Sequence, residues 1–514
     1  MKKKLIIDCI FLFLIGCITS LSLPPYNFFF VNFFTFTSIF IFLIKKAKIH
    51  KKKNLFFFYG WIFGFGFFMT NLYWISFSLT FDENFKFLIP LTLLLIPAFL
   101  SIFFGLIFLL FIIFKSKKLI SSFLIFSLLF GILEFLRGSI LTGFPWNLIA
   151  YSFLDQLRIL SIISIIGTYG FNLLCISLFT SPALIILRDT KKNLIVCFTF
   201  LISFILFYIY GFYYEKKFIS LEKKFFDYKI RLIGSNISLD RFYVNVDSSS
   251  ILEELIKISN PVSKEKTIFV WPEGILPTFS QDQISGLGKI IEENFSRNHL
   301  LIIGSNTEIK DKGSKKFFNS LSVYDNKLNL LSSYNKVKLV PFGEFLPFEK
   351  VLKRLGLRSL TNNYQSFSRG EERKIINIEK KNFSLKILPL ICYEIIYSGK
   401  LFDKADFDFI VNISEDGWFG RSIGPKQHFS HSILRAIESG KYVIRSSNNG
   451  IASIINPLGI SEQIVDFGQS GYLDLNKINK IQSTIFSKFK NKIFGLLILL
   501  YILLIFSFNK IENE

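Results

Sequence analysis

Eight long runs of apolar residues, nearly free of charge, limit what this chain can fold into. They cover residues 5–23, 28–44, 55–75, 87–114, 119–133, 159–187, 193–213 and 493–508. A bilayer core of ~30 Å is crossed by about 20 apolar residues in a helix, and shorter runs are tolerated by thinning or snorkelling. Each run is therefore read as a transmembrane helix. The run 119–133 must extend through Glu134 and Arg137 to span. The first run starts with Lys2, Lys3 and Lys4, as a signal peptide would, but Leu23-Pro24-Pro25 follows it in place of a small-x-small cleavage site. It is read as a retained helix.

The charges orient these spans. The formal net charge is +22, from 60 Lys and Arg against 38 Asp and Glu in 514 residues. With the N-terminus inside, the inner loops hold Lys45, Lys46, Lys48, Lys51, Lys52, Lys53, Lys115, Lys117, Lys118, Arg188, Lys191 and Lys192, whereas the outer loops hold only Lys86, Arg137 and Arg158. The positive-inside rule then places both termini in the cytoplasm and the stretch 214–491 on the outer side. The basic residues mark topology and are dispersed elsewhere, so nucleic-acid binding is set aside. The apolar content excludes disorder. Five cysteines in so long a chain exclude a disulfide scaffold.

The expected organisation is a membrane domain over 1–213, an extracytoplasmic domain over 214–491, and a last span with a short polar tail over 492–514. The middle stretch has mixed charge and short β-rich runs. Strands are expected at 230–234, 267–271, 300–304, 321–324, 385–392, 409–413, 442–446 and 451–455, with helices at 249–258, 281–293 and 425–439. This pattern is that of an α/β domain with its own core.

Three segments of that domain carry candidate chemistry. Cys392 is its only cysteine and ends an apolar run, Leu388-Pro389-Leu390-Ile391-Cys392-Tyr393-Glu394. A lone thiol is either buried and inert or used as a nucleophile. Glu273 follows another strand, in Phe269-Val270-Trp271-Pro272-Glu273-Gly274. Lys336 and Glu344 flank an aromatic turn, Tyr334-Asn335-Lys336-Val337-Lys338-Leu339-Val340-Pro341-Phe342-Gly343-Glu344. A Cys nucleophile needs a base and an oxyanion donor. His428 or His431 could pair with it, and a Cys-Glu-Lys set is the alternative. The histidines lack the spacing of a metal site, so no metal and no cofactor is expected.

Trp-Pro-Glu-Gly, Tyr-Asn-Lys with Val-Pro-Phe-Gly-Glu, and Ile-Cys-Tyr-Glu resemble, in order, the three motifs of the nitrilase superfamily. In particular they resemble the bacterial apolipoprotein N-acyltransferase family. The segments Asn412 to Gly420, Gly424 to His428, Arg445 to Gly450, Glu134 to Gly138 and Gly143 to Trp146 fit it too. The resemblance implies a nitrilase-like αββα sandwich beside a multi-helix membrane domain. It implies Glu273 as general base, Lys336 as oxyanion cation and Cys392 as nucleophile, with Glu344, Tyr393 and Glu394 in support. Glu134, Arg137, Trp146 and Trp418 become candidates for substrate binding. Two positions depart from the family pattern. Glu415 stands where Asn is common, and Arg241-Phe242 where a Lys-Trp pair is frequent. The implied partners are a phospholipid acyl donor and a diacylglyceryl lipoprotein acceptor, met in the bacterial inner membrane, and nothing in the sequence demands more than a monomer. The rival readings are a membrane-tethered amidase using water as acceptor, and a receptor or transporter with an inert Cys392. Against the latter, the spans hold few ionisable residues, chiefly Asp8 and Glu134.

Overall fold

The computed structural model describes the chain apart from residues 1, 189, 244–246, 278–280, 282, 312–313, 348–353, 355–365, 381–382 and 512–514. It divides into two compact units. One comprises Met1–Lys217, Ser422–Ser430 and Thr484–Glu514, and the other Phe218–Arg421 with His431–Ser483. The segment Ser422–Ser430, from within the stretch 214–491, thus groups with the membrane helices.

Six helical stretches among the described residues are long and apolar enough to cross a membrane by length and composition. They are Lys53–Phe81, Glu83–Phe114, Leu119–Arg137, Ile163–Ile186, Lys191–Ile219 and Lys492–Lys510. The two further expected runs form the helices Lys2–Ser20 and Val31–Ile49, each with lysines at one end. The last helix continues to Ile511, and the rest of the expected tail lies outside the described residues. In hydrocarbon there is no gain from hiding apolar surface in a neighbouring helix, so close backbone packing does the work. Helices Lys2–Ser20 and Lys53–Leu72 meet at Gly16 and Gly66. A Cβ on Gly66 would lie 2.3 Å from the Phe13 carbonyl oxygen, and one on Gly16 2.2 Å from that of Phe63. The acids of the bundle are paired internally. Asp8 accepts from Lys46 and from the Tyr59 hydroxyl at 3.0 Å, and Glu134 accepts from Arg137.

The second unit is α/β. Its strands are β1 (Lys223–Ser235), β2 (Thr267–Val270), β3 (His299–Asp311), β4 (Ser314–Asp325), β5 (Leu330–Asn335) and β6 (Ile376–Lys380). Then come β7 (Phe383–Ile391), β8 (Phe409–Glu415), β9 (Tyr442–Asn448), β10 (Ala452–Ile455), β11 (Ser461–Val465) and β12 (Gly471–Asn479). The hydrogen-bonded path runs β5-β4-β3-β2-β1-β9-β8-β7-β6, with β12 on β1 and β10 on β9. Strands β1, β2 and β3 are parallel, as are β7, β8 and β9. Strand β1 meets β9 only at Gly234↔Ser447 and Ser235↔Asn448, so the path divides there into two halves. The carboxyl ends of parallel strands are where α/β folds gather reacting groups.

Every expected strand has a counterpart, although β2 and β7 stop one residue short of Trp271 and Cys392 and β10 starts one residue later than expected. Strands β5, β6, β11 and β12 escape the sequence. Their exposed polar positions, as in Ile376-Asn377-Ile378-Glu379-Lys380, break the apolar runs that mark buried strands. The helix Ser248–Ser259 starts where the Asp247 side chain accepts the Ser249 N–H at 3.0 Å and ends at left-handed Asn260. Its apolar stripe, Ile251, Leu252, Leu255 and Ile256, joins Phe269, Trp271 and Leu301 in the buried core. The helix expected over 281–293 is instead a turn, a short 3-10 segment Ile284–Leu287 and the helix Gly288–Asn294, and Asp282 lies outside the described residues. Gly286 and Gly288 weaken the first half of that pattern.

Candidate active site

The three segments singled out in the sequence converge in the second unit. Glu273 follows β2, Lys336 follows β5 and Cys392 follows β7. Lys336 is 1% exposed and its Nζ donates to Glu273 Oε1 at 3.1 Å and to Glu344 Oε1 at 2.8 Å. An ammonium has three N–H groups, and the bonds to Glu273 and Glu344 use two of them among the described residues. Asn319 on β4, which the sequence reading missed, donates its amide to Glu273 Oε1 at 2.7 Å and to Glu344 Oε1 at 2.8 Å. Its only signal was a polar residue inside Phe317-Phe318-Asn319-Ser320-Leu321. The Glu415 N–H donates to Glu273 Oε2 at 3.0 Å, and the Val340 N–H to Glu344 Oε2 at 2.8 Å. Burial alone would push Lys336 down, but Glu273, Glu344 and Cys392 together hold it protonated well above the usual lysine range.

Cys392 is buried at the start of a 3-10 turn, Cys392–Ile396, with φ +49°. A residue with a Cβ pays conformational strain there, and such strain concentrates at functional turns. The thiol is held well above its ordinary pKa, chiefly by burial and next by Glu273, with Asp416 adding to this and Lys336 and a Ser414 hydrogen bond opposing it. None of these groups is a histidine. His428 stacks on Trp146 at 5.7 Å in the first unit. Glu273 and Lys336 of the Cys-Glu-Lys alternative both lie within electrostatic reach of the thiol.

Glu394 is fully buried and joins the second motif to the third. Its carboxylate accepts from the Tyr334 hydroxyl at 2.8 Å, the N–H groups of Val337 at 2.9 Å and Lys338 at 3.0 Å, and the Ile391 N–H at 3.0 Å. It fixes the Lys336 loop to the Cys392 turn. Tyr393 packs edge-on against Tyr397 at 5.6 Å. Trp418 is half-buried against Phe242 at 5.2 Å.

The two departures from the family pattern meet each other. Glu415, fully buried, is held by Arg241, by the Asn448 amide at 2.7 Å and by the Gly417 N–H at 2.8 Å. Burial still raises its pKa, against the pull of Arg241. Removing one partner of a buried pair leaves an uncompensated charge and costs about 3–5 kcal/mol. Arg241→Met is therefore expected to lower the unfolding temperature clearly, and adding Glu415→Gln to recover much of the loss. Thermal unfolding in detergent checks this, and equal melting of the single and double variants would refute it.

The remaining candidates lie in the first unit. Arg137 bonds Glu134 and the Phe144 carbonyl at 2.6 Å, tying a helix end to the following loop. Trp146 is 2% exposed and its Nε1 donates to Gln427 Oε1 at 2.8 Å. Trp74 Nε1 donates to the same oxygen at 3.0 Å, and Gln427 Nε2 to the Pro24 carbonyl at 3.2 Å. The indole N–H of Trp146 is thus committed to protein. Among the described residues no cluster of His, Cys, Asp or Glu could hold a metal.

Similarity to known proteins covers both units. Residues 15–181 match the apolipoprotein N-acyltransferase N-terminal domain, and 231–471 the carbon-nitrogen hydrolase family. The apolipoprotein N-acyltransferase of Rhizobium leguminosarum bv. trifolii is 33% identical over 477 residues, 89% of this chain and 88% of that protein. The chain belongs to the apolipoprotein N-acyltransferase family. The enzyme of that name from Rhodopseudomonas palustris is 30% identical over 492 residues, 92% of this chain and 90% of that protein. Membership identifies the second unit as a nitrilase-like domain and the apolar helices as those of a membrane protein.

Proposed function

We propose that this chain N-acylates apolipoproteins by a two-step acyl transfer through Cys392. Phospholipid and lipoprotein are its substrates, as the family's activity implies. Glu273 takes the Cys392 proton. The thiolate attacks an ester carbonyl of the phospholipid, and the third N–H of Lys336 stabilises the oxyanion that forms. Collapse breaks the ester C–O bond, Glu273 returns the proton to the leaving alkoxide, and a thioester remains on Cys392. The neutral α-amine of a diacylglyceryl-cysteine then attacks the thioester. Glu273 takes the proton of the new C–N centre, an amide forms and the thiolate is released. A thioester lies above an ester in acyl-transfer energy, so the second step runs downhill, provided water is excluded.

The observation that carries this reading is the buried Glu273–Lys336–Glu344 cluster around a strained Cys392. Glu344 and Glu394 act by holding Lys336 and the Cys392 turn, with Tyr393 beside the thiol. Trp418, with Phe242, and the Glu134, Arg137 and Trp146 group contact the lipid substrates or hold the loops that do. The membrane region 1–213 and the span within 492–514 supply eight crossings of the bacterial inner membrane. They leave both termini in the cytoplasm and the domain 214–491 on the outer side, where a monomer suffices.

Incubating the purified protein with defined phospholipids and a diacylated lipopeptide, followed by mass spectrometry, is expected to show the peptide gaining one acyl chain at its amine. Release of free fatty acid without peptide acylation would overturn the reading in favour of a hydrolase.

A further inference from the structure

Behind Cys392 lies a buried charge pair that the two-step transfer does not use. Strands β7 and β8 are parallel, and their register ends with Ile391 opposite Ile413, one residue before the Cys392 turn and Ser414; the Ser414 side chain hydrogen-bonds the Cys392 thiol. Ser414 is fully buried and its hydroxyl donates to Asp416 Oδ1 at 2.6 Å. The other Asp416 oxygen accepts from Arg445 at 2.7 Å. Arg445, opposite Asn412 in the β8–β9 ladder, also bonds the Asn412 side chain and the Ile451 carbonyl at 3.2 Å. Asn412, Asp416 and Arg445 are all 0% exposed. The backbone is shaped around this pair, since a Cβ on Gly450 would lie 2.4 Å from Asp416 Oδ2.

A buried ion pair is a poor way to gain stability, because apolar side chains of similar volume serve as well or better. This one has a specific consequence for Ser414. A hydroxyl has one proton and can also accept. While its proton is given to Asp416, its oxygen is left to face the Cys392 S–H. When Glu273 removes that proton, the same hydroxyl can rotate and donate to sulfur, and Asp416 keeps its bond to Arg445. No covalent bond changes in this exchange.

We propose that Ser414 is a positioning residue for the nucleophile, a rotor that accepts from the Cys392 thiol at rest and donates to the thiolate during turnover, with the Asp416–Arg445 pair holding it in place. It acts on the opposite balance from Glu273 and Asp416, whose charges disfavour the thiolate, and alongside Lys336, whose charge favours it. The inference rests on Cys392 being the nucleophile.

Its test is the pH dependence of iodoacetamide alkylation of Cys392 in the full-length protein. The Cys392 peptide is followed by mass spectrometry, since Cys9, Cys17, Cys175 and Cys197 are also free. Ser414→Thr and Ser414→Val are isosteric, so the packing cost is common to both and the hydroxyl is the difference. The Thr variant is expected to follow the wild-type profile. The Val variant is expected to shift upward by about one pH unit and to react about tenfold more slowly at neutral pH. Ser414→Ala, which adds no bulk at this buried position, carries the same expectation as Val. Coincident Thr and Val profiles, or a downward shift in Val or Ala, would overturn the proposal. Transfer by Cys392→Ala separates the two ideas. Retained transfer there sinks the nucleophile, whereas lost transfer with coincident Ser414 profiles sinks only the rotor.

Discussion

Replacing Cys392 by alanine is expected to lower N-acylation of a diacylated lipopeptide by at least about 10³-fold, while the protein stays folded in detergent. Cys392 is the only cysteine of the second unit's sequence, and the other four lie among the membrane helices. The Cys392 side chain is small, and its removal leaves the ties of Glu394 to Tyr334, Val337, Lys338 and Ile391 intact. The thermal transition should therefore move little. In the wild type, incubation with labelled phospholipid alone should leave an acyl group on Cys392 that hydroxylamine cleaves. An alanine variant with full transfer, or label on another residue, would refute the covalent route.

The second large effect is expected at Lys336. Lys336→Met removes the only cation in direct contact with Glu273 and Glu344 among the described residues. Two buried carboxylates then converge on one point without compensation, which costs several kcal/mol. On the proposed mechanism the oxyanion also loses its charged donor, worth about 10²–10³ in rate. Both thioester formation and the unfolding temperature should fall. A double variant, Lys336→Met with Glu344→Gln, removes one of the two repelling charges. It should regain stability without regaining activity, which separates the chemical role of the cation from its structural one. Restored transfer in the double variant would show that Lys336 only neutralises Glu344.

The α/β character of the second unit is legible because it is written in local runs, and its nitrilase-like fold is implied by the resemblance of three short motifs. Strands buried on both faces, such as Phe409-Ile410-Val411-Asn412-Ile413, show as near-continuous apolar segments. Glu273 and Cys392 stand at the ends of such segments, which marks them as candidates, while their roles come from the resemblance of the three motifs. Strands β6 and β12, exposed on alternate positions, carry no such mark. The helix expected over 281–293 is shorter in the structure, because apolar spacing says nothing about the cost of Gly286 and Gly288.

What the sequence by itself determined is the division into lipid-facing runs and an α/β stretch, and the residue types able to perform acyl transfer. The first follows from hydrophobic patterning along the chain, and the second from the resemblance of its three motifs to a known family. What only the tertiary structure decided is which partners those residues have. Asn319 bridges Glu273 and Glu344, Arg241 neutralises Glu415 from 174 positions away, and Arg445 sets Asp416 against Ser414. In the membrane unit, Gln427 gathers the indoles of Trp74 and Trp146. Each of these side chains reads alone as an ordinary polar residue. Burial makes the difference, because a charge or amide removed from water must find its partner across the fold, and that requirement is a property of the packed chain.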